Sequence, residues 1–182
     1  PGFLGLFQFN PPVDAIAITG TDGAKQITGK ITPQLMDKSG AVKGDAASAA
    51  NELTSALGLK SSSVTDVTKF LKLHGVATGG KTGATLKKTT KGVEVSYKGK
   101  TVTAAANLID ESGQVLTKDA SELDDLLNSF TKTFELTAQP KSASDILEAY
   151  GFSYEGASES AMQSEYSIAP VAVTNKGEFF RW

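Results

Sequence analysis

The sequence predicts an α+β fold, in which short helices pack on antiparallel hairpins and both ends run out as extended arms. Three observations lead there. Two stretches between Asp45 and Gly75 keep helical apolar spacing and are bounded by capping residues. From Lys81 the apolar period falls to two, and turns containing glycine separate the runs. Both ends carry clusters of aromatic residues, and the first is interrupted by glycines and a proline pair.

The elements follow in order. "PGFLGLFQFNPP" excludes a regular helix, because Gly2, Gly5 and Pro11-Pro12 bias it to extended forms. Yet Phe3, Leu4, Leu6, Phe7 and Phe9 are too apolar to sit in water. "VDAIAIT" alternates as a strand, "GTDG" turns it, and "KQITGKIT" returns, broken by Gly29 and ended by Pro33. A helix follows, with Asp45 as N-cap and Gly58 past its end. A second helix, capped by one of Ser61 to Ser63 and stopped by Gly75, spaces Val64, Val67, Phe70 and Leu71 along one face. "VEVSY", "KG" and "KTVTAAANLI" form a hairpin, then "DESG" turns into a short strand "QVLT". Asp119 and Glu122 have capping-box spacing ahead of the short acidic helix "LDDLLNSF". "KTFELT" reads as a strand, and Ser142 and Asp145 cap "DILEAYG". The tail alternates through "YSIAPVAV" and ends in "EFFRW". No internal repeat is evident. Three regions result: 1–44, an N-terminal arm and β segment; 45–106, a helix-turn-helix with a basic hairpin; and 107–182, an acidic α+β region with a C-terminal arm.

Composition narrows the function. With 40% hydrophobic and 21% charged residues the chain is globular rather than disordered. No apolar run reaches the roughly 18 residues a membrane helix needs, and no export signal opens the chain. Pro1 fits removal of an initiator Met. Absence of cysteine removes thiolate catalysis and Cys-ligated zinc, and a single histidine, His74, leaves no multi-His metal site or triad. No cofactor is expected. Arg181 is the only arginine, so bidentate reading of phosphate or guanine lacks its usual side chain. Charge is segregated: residues 60–100 carry 9 Lys against Asp66 and Glu94, while residues 101–182 carry 13 acids against 5 basic residues. Such blocks suit either a nucleic-acid face or two surfaces that attract each other.

Three motifs carry candidate chemistry. Leu53, Leu57, Gly58, Leu59, Val64 and Val67, followed by the hairpin at 93–106, make residues 45–106 resemble a winged helix-turn-helix. The resemblance implies DNA binding, with the second helix in the major groove presenting Ser62, Ser63, Thr65 and Lys69. Lys60, Lys72, Lys87, Lys88 and Lys91 complete that candidate nucleic-acid face. The same residues also suit two capped helices that only pack. "GVATGGKT", Gly75 to Thr82, matches the P-loop pattern, with Lys81 and Thr82 in the nucleotide-binding places and "NLIDE" as a possible Mg²⁺ strand end. However, the segment before it reads as helix, and "GATLKKTTKG" after it is Thr-rich, Gly-bounded and a poor helix. Glu122, Asp124 and Asp125 read as a solvated face, and His74 as a helix-end residue.

Phe3, Leu4, Leu6, Phe7 and Phe9 at one end, and Phe179, Phe180 and Trp182 at the other, read as subunit-interface residues on arms that dock onto neighbours. With Ala/Thr/Ser/Gly-rich β segments and no cysteine, the whole chain loosely resembles phage virion structural proteins, of capsid or tail. That resemblance implies a non-enzymatic subunit of a large homo-oligomeric assembly in a virion. The alternatives are a cytoplasmic winged-helix DNA-binding protein and a P-loop nucleotide-binding protein. Expected partners are copies of itself and other assembly proteins, with DNA possible at 60–100 and no membrane.

Overall fold

In the computed structural model, residues 14–161 are described, and their elements run β1 (Asp14–Thr21), β2 (Gln26–Ile31), α1 (Ala46–Leu57), α2 (Val67–Leu73), β3 (Thr85–Thr89), β4 (Gly92–Tyr97), β5 (Lys100–Ala104), α3 (Ala120–Thr133), α4 (Ala143–Ala149) and β6 (Ser153–Ala161). The α+β class is therefore the observed one, with helices beside two three-stranded antiparallel sheets ordered β2-β1-β6 and β3-β4-β5. The expected terminal arms lie outside the described residues.

In the first sheet the alternation of β1 turns Ile16 and Ile18 inward, opposite Ile31 and Gly29 of β2. Gly29 does not break this strand. A Cβ there would lie 2.9 Å from Leu57 Cδ2 and 3.0 Å from the Ala56 carbonyl carbon, so glycine lets α1 close onto the sheet. Helix α1 has the expected caps: Asp45 accepts the Ser48 N–H at 2.9 Å, and Gly58 adopts the left-handed conformation at φ +70°.

Several boundaries differ from expectation. Helix α2 starts at Val67 with Asp66 as its cap, whose carboxylate accepts from the Thr68 N–H at 2.8 Å and its hydroxyl at 2.7 Å. Ser61–Ser63 instead form a 3₁₀ turn, and Val64 is extended. The stretch "KTFELT" is not a strand. Helix α3 runs to Thr133 because Leu123, Leu126, Leu127, Phe130 and Phe134 continue one buried helical stripe, which outweighs the β preference of the Thr and Phe residues. Strand β5 stops at Ala104, and "QVLT" contributes two isolated bridges, Asp66 to Gln114 and Ile109 to Val115.

The order of elements recurs along the chain. Each half consists of a β-hairpin, an Asp-x-Ser-Gly turn, a long helix, a short helix and a strand. The turns match atom for atom. Asp37 Oδ1 accepts from Ser39 N–H at 2.9 Å, Ser39 hydroxyl at 2.6 Å and Ala41 N–H at 3.0 Å. Asp110 Oδ1 accepts from Ser112 N–H, Ser112 hydroxyl and Gln114 N–H at 2.9, 2.6 and 3.0 Å. Gly40 and Gly113 follow at φ +89° and +93°. Beyond each short helix the ends match too: Val76 N–H donates to Leu71 carbonyl, and Phe152 N–H to Leu147 carbonyl, at 2.9 and 3.0 Å.

The halves are interlocked. One core joins β1, β2 and α1 of the first half to Ala143, Ile146, Leu147 and Ala149 of α4, with Tyr154 of β6 packed against it. The other joins β4, β5 and α3 of the second half to Val67, Phe70 and Leu71 of α2. Each half thus supplies the short helix and the following strand of the other half's core. Backbone hydrogen bonds fix the exchange reciprocally. Val67 N–H donates to Gly113 carbonyl at 2.8 Å and Val115 N–H to Thr65 carbonyl at 2.9 Å. Ala143 N–H donates to Gly40 carbonyl and Val42 N–H to Lys141 carbonyl, at 2.8 and 2.9 Å. Burying each large apolar side chain contributes roughly 1.5–3 kcal/mol, so the fully buried Leu71 and Leu147 bind each donated helix to the opposite half.

The serine hydroxyls and turn amides hold the Asp37 and Asp110 carboxyls below the ordinary carboxylate value of 3.8, Ser39 and Ser112 being the largest causes. A lowered folded-state value stabilises the protein above the unfolded-state pKa, and this contribution disappears as pH falls through the folded-state value. Replacing both, Asp37→Asn with Asp110→Asn, should flatten the acid limb of the stability curve. Urea midpoints measured from about pH 6 down to about pH 2 test this, and an unchanged acid slope contradicts it.

Candidate functional site

The two ends of the described chain meet at one place. Asp14, the first residue of β1, is the register partner of Ala161, the last of β6. Partners on adjacent strands stand roughly 5 Å apart. Segments 1–13 and 162–182 therefore join the body side by side, at one end of the first sheet. The interface residues expected from the sequence, Phe3, Leu4, Leu6, Phe7, Phe9, Phe179, Phe180 and Trp182, lie outside the described residues.

The expected nucleic-acid residues fall on several surfaces. Lys60 is exposed before the 3₁₀ turn that holds the half-buried Ser62 and Ser63. Lys69 and Lys72 lie on the exposed side of α2, whose Val67, Phe70, Leu71 and Leu73 are buried. Thr65 and Lys69 line a groove of about 570 Å³ with Ser144, Glu148 and Gly151 to Tyr154. Lys87 and Lys88 are exposed on β3 and Lys91 in the turn after it, but Lys88 lines a separate cleft of about 180 Å³ beside Asp110 and Glu111. Helices α1 and α2, the pair expected to pack as a helix-turn-helix, send most of their buried residues to different cores.

The P-loop-like stretch Gly75–Thr82 leaves the C-terminus of α2 and leads to β3, with Ala84 N–H donating to Ala77 carbonyl at 2.8 Å. Lys81 and Thr82 are exposed. A strand, not a helix, follows Thr82, so no helix N-terminus points at the position a bound phosphate would take. Glu122 and Asp125 are exposed on α3 and Asp124 is half-buried.

His74, Tyr97, Lys98, Lys100, Glu135 and Gln139 line a cavity of about 260 Å³ that sequence reasoning did not assemble. His74 Nδ1 lies 2.9 Å from the Phe70 carbonyl and its ring packs 4.4 Å from that of Phe70. Burial pushes its pKa below 6.5, partly opposed by the Phe70 carbonyl. The neutral ring donates Nδ1–H to that carbonyl and leaves Nε2 as an acceptor. Tyr97 meets Phe134 edge-on at 6.0 Å, and Lys98 Nζ lies 5.3 Å from the Tyr97 ring centre. Lys100 and Glu135 pair at 3.3 Å, both well exposed, so the pair itself contributes little.

Glu135 stands out within this cavity. It holds a left-handed position, φ +54°, at the end of α3, where Leu136 N–H closes onto the Thr131 carbonyl at 2.9 Å. In the first half the matching position after α1 is Gly58, where Leu59 N–H closes onto Thr54 carbonyl at the same distance. Its sequence signal was hidden because "KTFELT" suggested a strand. Among the described residues no group of three or more His, Asp or Glu is placed to hold a metal ion, and no helix is long and apolar enough to cross a membrane. No family model, no curated protein and no solved structure matches the chain.

A non-glycine residue in the left-handed conformation is strained by roughly 1–2 kcal/mol. Glu135→Gly should therefore raise stability by about 1 kcal/mol, after loss of the exposed Lys100 pair. Urea unfolding of the variant reads this, and a less stable variant would show that the Glu135 side chain contributes more than its backbone strain removes.

Proposed function

We propose that the chain is a structural subunit of a large assembly, of the phage virion type in capsid or tail, and that its terminal segments connect neighbouring copies. The observation that carries this reading is the pairing of Asp14 with Ala161. It sets the first and last described residues side by side, and the sequence beyond them holds Phe3, Phe7, Phe9, Phe179, Phe180 and Trp182. Aromatic residues are the side chains enriched at interface cores. Each one buried is worth roughly 1.5–3 kcal/mol, less the entropy of ordering the arm. The interlocked cores suit such a role, because a subunit under load needs a body that does not come apart half by half. Its exposed lysines on α2 and β3 suit an acidic neighbouring copy or packaged nucleic acid.

Deleting residues 1–9, or cutting before Phe179, should leave a folded protein that no longer assembles. Sedimentation velocity and circular dichroism of each truncation test this. Full-size particles from the truncated chains would remove the arms as connectors, and an unfolded monomer would place the arms in the protein's own core.

A further inference from the structure

The recurrence contains an unequal closure. Helix α2 and strand β3 pass forward along the chain, from the first half into the core of the second, where β3 pairs with β4. Helix α4 and strand β6 are the corresponding pair of the second half. They fold back instead onto β1, α1 and the Asp37 turn. The acceptor surface is the same in both places: the free side of the first hairpin strand, plus an Asp-x-Ser-Gly turn whose glycine carbonyl receives the incoming helix.

We propose that a second copy of this chain can supply that pair, so that α4 and β6 of one molecule complete the first core of the next, head to tail. This rests on the assembly reading and adds to the terminal segments a second contact between copies. The contacts made inside the acceptor core are those of the closed molecule: Ala143 N–H to Gly40 carbonyl, Val42 N–H to Lys141 carbonyl, Leu147 in the core, and β6 along β1. Only the linker between α3 and α4 must change course. That linker contains Pro140 and is tied to the body by the Gln139 N–H to Leu73 carbonyl bond at 2.8 Å. Exchange of an identical element between copies costs little, because the closed and exchanged forms bury the same surface. Repeated without closure it produces a chain of subunits. It also carries segment 162–182 of each copy to the start of β1 of its neighbour, beside that neighbour's segment 1–13.

The protein has no cysteine, which permits a clean test. Ala17 of β1 and Ser158 of β6 are register partners on the face away from the core. Ala17→Cys and Ser158→Cys chains, one carrying a mass tag, are mixed in denaturant, refolded, allowed to assemble and oxidised. Mass spectrometry of the assembled fraction is expected to show disulfides joining a tagged to an untagged chain in about half of the subunits, the share that a random one-to-one mixture permits for a head-to-tail contact. The double variant, Ala17→Cys with Ser158→Cys, oxidised as a dilute monomer, ties β6 to its own β1 and is expected not to assemble until reduced. Assemblies that form without the mixed disulfide, or from the oxidised double variant, overturn the exchange and leave the assembly reading standing. A wild-type chain that stays monomeric at high concentration by native mass overturns both.

Discussion

Two backbone hydrogen bonds, from Val67 N–H to Gly113 carbonyl and from Ala143 N–H to Gly40 carbonyl, are the constraint on which the fold depends. Each brings the first turn of a short helix to an Asp-x-Ser-Gly turn in the opposite half. The turns are rigid because one carboxylate oxygen takes three donors, so the carbonyl they present is fixed before the helix arrives. The first turn of a helix has N–H groups with no partner inside the helix, and here the opposite half supplies one. A short helix such as α2 or α4 has little stability alone. Each exists because the opposite half satisfies its first turn and buries its leucines.

This division explains what the sequence made legible. Local signals worked: the caps Asp45 and Asp119, the Gly58 stop, and the alternation of Ile16 and Ile18 each depend on neighbours within a few residues, whereas Ser142 holds the N-cap position of α4 without a side-chain capping bond. The exchange was not legible, because periodicity tells which face of α2 is apolar but not which sheet receives it. Nor was the recurrence. Its halves share the Asp-x-Ser-Gly turns and little else, and the segments joining the short helix to the next strand differ in length, so residue identities drift out of phase. Helix α3 was cut short because Thr131, Thr133 and Phe134 carry β preference, while the stripe that makes them helical needs the core at Leu127 and Phe130 to be seen. The cavity at His74 joins residues from α2, the β4–β5 turn and the end of α3, and no sequence window spans these.

Charge segregation has a structural counterpart. The basic hairpin of β4 and β5 and the acidic helix α3 enter the same core. Among the described residues Lys100 and Glu135 form an ion pair at its edge, at the mouth of the cavity. The attraction is thus partly spent within the molecule, and the lysines of α2 and β3 remain for whatever lies outside.

The central claim is that neither core exists without the other half. Native-state hydrogen exchange of the Leu147→Ala variant tests it most directly. Truncating a buried leucine removes about 2–5 kcal/mol, and the leucine lies in the core of the first sheet. If the halves are interlocked as described, the slowest amides of β1, at Ile16 and Ile18, and those of β4, at Val93 and Val95, should lose protection by the same factor. Loss confined to β1, with β4 exchanging as in the parent protein, would show two independent cores and contradict the account.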